Sequence, residues 1–131
     1  MEFLNVLVAA VGAFAFGAVW YMSLSKSWIA ASGGAVGADG GPANKSDMKP
    51  FILAFVASIL VAGMMRHVFA LSGIEGISKG LISGFGIGLF MVTPWMATCY
   101  AFAGRPFRLT LIDGGYATFG CAVMGAILTA F

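Results

Sequence analysis

Charge is scarce in this sequence: only 9% of its 131 residues are Asp, Glu, Lys or Arg, against about a quarter in soluble globular domains. So few ionic groups cannot cover a water-facing surface, which excludes an ordinary soluble protein. Seven basic and five acidic residues leave a net charge of +2. That is too small and too dispersed for the basic face that phosphate neutralisation needs, so nucleic acid is excluded as a partner. Histidine occurs once. Metal sites and charge relays need several ligands, or a His–Asp pair beside a nucleophile, so neither has support and no cofactor or metal is indicated. No nucleophile and base stand at readable spacing either, and the expectation is a non-enzymatic protein.

What the chain has instead is apolar length, with 60% hydrophobic residues and a mean hydropathy of +0.98. From Phe3 to Ser25 no charge occurs, which makes about 34 Å of helix, enough to cross a hydrocarbon core of roughly 30 Å. Only Glu2 precedes this block, and it is longer than a signal peptide's apolar region, so it is expected to be a retained span. A second span covers 51–73, entered through Ser46 or Asp47 as N-cap with Pro50 in the first turn. The third, 81–103, carries Pro94, which removes a bond to the Phe90 carbonyl and predicts a kink. The fourth, 109–131, has Asp113 in its second turn. The expected fold is all-α and integral to the membrane: a single domain, residues 1–131, forming an up-and-down bundle of four transmembrane helices. The loop 26–49 is nearly all Gly, Ala and Ser from Ala30 to Asn44 and reads as a flexible linker.

Orientation follows from the basic residues outside the spans. The first loop carries Lys26, Lys45 and Lys49 and the third Arg105 and Arg108, whereas the second has only Lys79. The positive-inside rule then places loops 26–49 and 104–108 in the cytoplasm and both termini outside. Aromatic placement agrees independently: Trp20, Tyr21, Trp28, Trp95, Tyr100 and Tyr116 all fall toward the same side, where with Arg105 and Arg108 they would anchor the interface.

Lipid tails are as apolar as Leu, so helices in a bilayer associate through close backbone approach, and small residues spaced by four mark contact faces. Gly76, Gly80, Gly84 and Gly88 form one such ridge. Ala9, Ala13 and Gly17 form another, Ala54, Ser58 and Ala62 a third, and Ala117, Cys121 and Gly125 a fourth. Packing within the bundle accounts for all four. The glycine ridge is also long enough for a helix to dimerise across subunits. Continuing by four from Ala62 reaches Arg66, and stepping back by four from Ala117 reaches Asp113, so both charges lie on contact faces. Their depths differ too much for them to meet. Asp113 is expected near Lys26, Lys49, Arg105, Arg108 or the Tyr116 hydroxyl; Arg66 would use Glu75 or snorkel to the outer interface. Structural anchoring is the plainer role for these charges, and a transport or relay role the sharper one.

His67, beside Arg66, reads as a hydrogen-bonded or solvated side chain. A haem or chlorophyll-type ligand is the alternative, with room for a flat ring at Gly63. Cys99 and Cys121 lie at depths too different for a disulfide, and Met64, Met65, Met91, Met96 and Met124 lack a repeated metal-binding spacing, so both sets read as packing residues.

The Gly17-Ala18-Val19-Trp20-Tyr21 run with Trp28, Gly104-Arg105-Pro106 leading to Leu109 and Ile112, and Gly115-Tyr116 with Met124-Gly125-Ala126-Ile127-Leu128 resemble the small bacterial membrane proteins grouped as domain of unknown function 1761. The resemblance covers essentially the whole chain. It implies a four-helix inner-membrane protein and no activity. Two departures stand out: the first loop is a Gly and Ala run where members commonly have a charged, more structured one, and Ala117 occupies a position that is often His or another polar group. The expected function is a homo-oligomer or an accessory subunit of a larger membrane complex. The alternative is a small oligomeric transporter or channel with a polar pathway near Arg66 or Asp113.

Overall fold

The computed structural model describes residues 2–32 and 48–131, all of them helical apart from short turns. Helix α1 covers Glu2–Ser23, and after a turn at Leu24 the short α2 follows, Ser25–Ser32. Helix α3 is Lys49–Ser72. A third span, Ile77–Phe102, consists of α4 (Ile77–Ile87), a π-helical turn (Gly88–Val92) and α5 (Thr93–Phe102). Helix α6 is Phe107–Ala130. Four of these stretches are long and apolar enough to cross a membrane, as expected from the uncharged blocks, and the chain is a multi-pass membrane protein.

Several boundaries differ from expectation, each for a local reason. The start of the loop expected to be flexible is helical, because Ala31 of α2 buries against Leu109 and Ile112, with Tyr21, Leu24 and Trp28 packed around them. Ser46, Asp47 and nearly all of the Gly and Ala run lie outside the described residues. Met48 occupies the N-cap of α3 without a side-chain bond, and Pro50 sits in the first turn. Gly73 ends α3 in the left-handed region, φ 67°, with its N–H on the Phe69 carbonyl. The third span begins at Ile77, four residues before the uncharged block, because Lys79 is exposed and does not interrupt the helix. The irregularity expected at Pro94 lies one turn earlier. The Thr93 N–H reaches back to the Gly88 carbonyl, a π-helical step, and this widened turn immediately precedes Pro94, which has no N–H to donate.

Helix α6 is the inner element: 56% of its most apolar stretch is buried, against 17% in α3 and in the third span. Helices α1, α4 and α5 pack directly on α6, while α3 packs mainly on α1, so the neighbour order runs α3, α1, α6, then the third span. The main core joins Ala9 and Ala13 of α1, Ala62, Met65 and Phe69 of α3, and Cys121, Met124 and Leu128 of α6.

Candidate functional site

Helices α4 and α6 approach each other backbone to backbone. A Cβ built on Gly84 would lie 2.1 Å from the Cys121 carbonyl oxygen, one on Gly80 2.3 Å from the Gly125 oxygen, and one on Gly88 2.5 Å from the Ala117 oxygen. Backbone meets backbone there, and no other residue fits. Three of the four ridge glycines are thus occupied within the chain. The fourth is not: Gly76 takes φ 92° ahead of α4 with nothing near its Cβ position, so its role is to turn the chain. Of the other stripe positions, Ala9, Ala13, Gly17, Ser58, Ala62, Cys121 and Gly125 are buried and Ala117 is half-buried, whereas Ala54 is exposed.

Glycines of α1 and α6 also receive larger side chains. Trp20 lies against Gly115, Tyr116 against Gly17, Ile127 against Gly12 and Thr93 against Gly114. Trp20 donates from Nε1 to the Ile112 carbonyl at 2.9 Å. Tyr116 stacks on Phe16 with ring centroids 6.4 Å apart and lies 5.3 Å from the Tyr21 ring, which in turn meets Trp28 edge-on. The expected gathering of aromatic residues therefore includes Trp20, Tyr21, Trp28, Tyr100 and Tyr116. Trp95 does not join it. It is 77% exposed on α5, a helix with no buried residue.

Asp113 is buried on the inner face of α6 and is held by two phenols. Tyr21 of α1 donates to its Oδ1 at 2.6 Å, and Tyr100 of α5 donates to its Oδ2 at 2.5 Å. Each carboxyl oxygen thus accepts one hydroxyl hydrogen bond. Neither phenol was among the expected partners. Arg108, five residues before Asp113, lies about 140° around the helix and is exposed, as are Lys26, Lys49 and Arg105. The Tyr116 hydroxyl interacts with Ser58 of α3 instead.

Arg66 is likewise held by α1, at the other end. Its Nη1 donates to Asn5 Oδ1 at 2.5 Å, and Asn5 donates from Nδ2 to the Ile127 carbonyl at 3.3 Å. Asn5 is 1% exposed, the largest fully buried side chain. Sequence reasoning missed it, although stepping back by four from Ala9 reaches it. The expected partner Glu75 is exposed and lines a cleft of about 310 Å³ together with Arg66, Thr129 and Phe131. On its other side Arg66 borders a larger groove of about 630 Å³ between α1 and α3, with His67 and Gly63. His67 is exposed, and a Cβ on Gly63 would meet nothing within 4 Å. Along α6 the Asp113 and Ile127 positions are separated by about 21 Å, so the two charged sites occupy opposite ends of the bundle.

Between them lies a hydroxyl cluster. Thr93 donates to the Gly88 carbonyl at 2.7 Å and lies 3.2 Å from the Gly114 oxygen and 3.3 Å from Thr118 Oγ1, while Thr118 donates to Gly114 at 2.7 Å. This ties the π-helical turn to α6. Cys121 is buried and Cys99 exposed, both as free thiols. Met65 and Met124 fill the core, but Met64 and Met91 are largely exposed, so gap filling does not describe all the methionines. Among the described residues, no three His, Cys, Asp or Glu side chains come together in a metal-binding group.

A family model described as protein of unknown function (DUF1761) matches residues 4–129. The chain belongs to the DUF1761 family. No curated protein and no solved structure matches it. For this DUF1761 member the four apolar helices agree with the membrane architecture that the family resemblance implied.

Proposed function

We propose that this DUF1761 protein is a non-enzymatic membrane subunit that acts through helix–helix packing, either as a homo-oligomer or seated beside a larger membrane complex. The observation that carries this reading is where the chain spends its polar groups. Asn5, Ser58, Thr118 and Asp113 are buried and hydrogen-bonded or engaged inside the bundle, whereas α3 and the third span turn long apolar faces outward. Phe90, Met91 and Trp95 form part of that surface, each more than 65% exposed. With the glycine ridge turned inward against α6, the contact between chains falls to these larger side chains. This reading includes a bacterial inner membrane, which the family resemblance suggests, and both termini outside, which the basic residues at 26–49 and 104–108 favour.

The test is gentle extraction from the native host in a lipid-preserving medium, then native mass spectrometry and an absorbance spectrum of the same sample. A defined homo-oligomer or heteromeric assembly supports the reading, and a visible absorbance band would add a pigment or haem at His67. A colourless monomer under all conditions overturns it. The transporter alternative draws on one observation, that Arg66 borders two clefts. Ion or solute flux in liposomes that disappears with Arg66→Gln would favour that alternative over the packing role.

A further inference from the structure

The two halves of the third span are held on α6 in different ways. The first half, α4, is locked backbone to backbone through Gly80, Gly84 and Gly88. The second half, α5, has no buried residue. Its half-buried residues are Thr93, Met96, Ala97 and Tyr100, one narrow stripe at i, i+3, i+4 and i+7, and the rest, Trp95 and Phe102 among them, are exposed.

Both ends of α5 are built to bend. At its start Thr93 pins a pivot, its hydroxyl donating to the Gly88 carbonyl and lying 3.2 Å from the Gly114 oxygen. The π-helical turn just before it and the missing N–H of Pro94 weaken the backbone ladder at that point. At the other end, residues 101–108 are all exposed, and Gly104 takes φ 74° with nothing near its Cβ position. Two turns beyond the pivot, about 10 Å along α5, the Tyr100 hydroxyl crosses to α6 and donates to Asp113 Oδ2. Tyr21 of α1 holds Oδ1 of the same carboxyl group, so Asp113 stays in place if Tyr100 lets go.

We propose that α5 is a hinged flap: it swings at Thr93 and Pro94, is latched shut by the Tyr100 hydroxyl on Asp113, and in opening uncovers one oxygen of that carboxyl group. Elements with little buried surface open at the lowest free energy, and hinges lie at element ends that absorb a change of backbone angle. The glycine contacts keep α4 still while α5 moves. The flap does not depend on whether the chain associates with others.

The test is pulsed electron spin resonance on the full chain in lipid nanodiscs, with Cys121→Ala. Nitroxide labels go on the native, exposed Cys99 of α5 and on Leu53→Cys, an exposed position of α3 at the far flank of the bundle. A bend of about 30° at the pivot carries Cys99 about 4–5 Å outward, so open and closed chains give separate distances. Tyr100→Phe keeps the ring against Leu109 and Ile112 and removes only the hydroxyl. It should raise the ratio of open to closed chains about tenfold, the effect of losing one hydrogen bond to a buried carboxyl group. Tyr21→Phe takes the other donor from Asp113 and should not raise it. Pro94→Ala restores the N–H and should lower the ratio in the Tyr100→Phe chain. A label moved from Cys99 to Ile82→Cys on α4, with Cys99→Ser, should keep a single distance throughout. Even in the parent chain the distances to Cys99 should be spread more widely than those to position 82, and equal spreads overturn the proposal. So does an unchanged ratio in folded Tyr100→Phe, an equal rise in Tyr21→Phe, or movement of both labels together, which would make the third span a rigid rod.

Discussion

Replacing Gly84 and Gly86 by alanine, one at a time, sets two effects against each other within a single helix. Alanine gains up to about 1 kcal/mol over glycine in a helix interior. At Gly86 nothing opposes the gain, since an added Cβ meets no atom within 4 Å. At Gly84 the same Cβ would stand 2.1 Å from the Cys121 oxygen and 2.8 Å from its carbonyl carbon, both backbone. Neither atom can rotate away, so α4 and α6 must separate by more than about 1 Å or shift along each other, and overpacking of this kind costs about 1–3 kcal/mol. Separation would also loosen the bonds by which Thr93 ties the third span to α6. Gly84→Ala should therefore be destabilised by a net of up to about 2 kcal/mol while Gly86→Ala is stabilised by up to about 1 kcal/mol. Reversible unfolding in mixed micelles of increasing SDS content, followed by tryptophan fluorescence, reads the difference because Trp20 sits on Gly115 of α6. Equal shifts of the midpoint in the same direction would refute the α4–α6 contact. Loss of an oligomer with unchanged subunit unfolding would instead place the ridge between subunits.

Other outcomes follow from the same contacts. Tyr21→Phe and Tyr100→Phe each remove one hydroxyl donor from Asp113 and should each lower stability by about 1.5–3 kcal/mol; the double variant should depart from additivity in the same unfolding assay, because both act on one carboxylate. Asn5→Ala leaves Arg66 and the Ile127 carbonyl without the amide that joins them and should cost about 1–3 kcal/mol, more than Glu75→Gln at an exposed position. Thr93→Val keeps the shape but loses the hydroxyl that bonds Gly88, with an expected cost of about 0.6 kcal/mol, the usual scale for such bonds in membranes. For orientation, single cysteines replacing Lys79 and Arg108 in a background without Cys99 and Cys121 should react with an impermeant maleimide from opposite sides of sealed cells, Lys79→Cys from outside.

Much of the fold was legible because uncharged length and small-residue spacing are direct consequences of a lipid solvent. Blocks such as Phe3 to Ser25 must be helical to satisfy their backbone, and glycines at 80, 84 and 88 must face something closer than a side chain allows. The boundaries were less legible for a physical reason: charge marks the edge of hydrocarbon and not the edge of a helix, so Lys79 falls inside the third span and Lys49 at the start of α3. The helical start of the first loop escaped because Trp28 and Ala31 count for little in composition but reach partners on α6. The π-helical turn was hidden as well, since Pro94 announces an irregularity without stating which bonds rearrange around it.

A rule that pairs opposite signs does not reach the hydroxyl and amide partners of the two charges, yet the four-residue spacing contains two of them. The small-residue stripe of α1, Ala9, Ala13 and Gly17, reaches Asn5 one step back and Tyr21 one step forward. Those two side chains hydrogen-bond Arg66 of α3 and, together with Tyr100, Asp113 of α6. Helix α1 therefore reads as a single device: a middle of small residues that lets α3 and α6 approach, and a neutral hydrogen-bonding group at each end that satisfies a charge on the helix it admits. A neutral partner suits the bilayer better than an ionic one here, because a Lys or Arg set opposite Asp113 would itself need desolvation, whereas phenols and an amide bring donors and acceptors without a second charge. The same logic makes the registry of α1 the most sensitive coordinate of the bundle. Sliding it by one residue would turn Asn5 and Tyr21 about 100° away from their charges and carry Gly17 off the Tyr116 ring, so inserting one alanine after Ala13 should abolish folding where an insertion in the exposed turn at Gly104 does not.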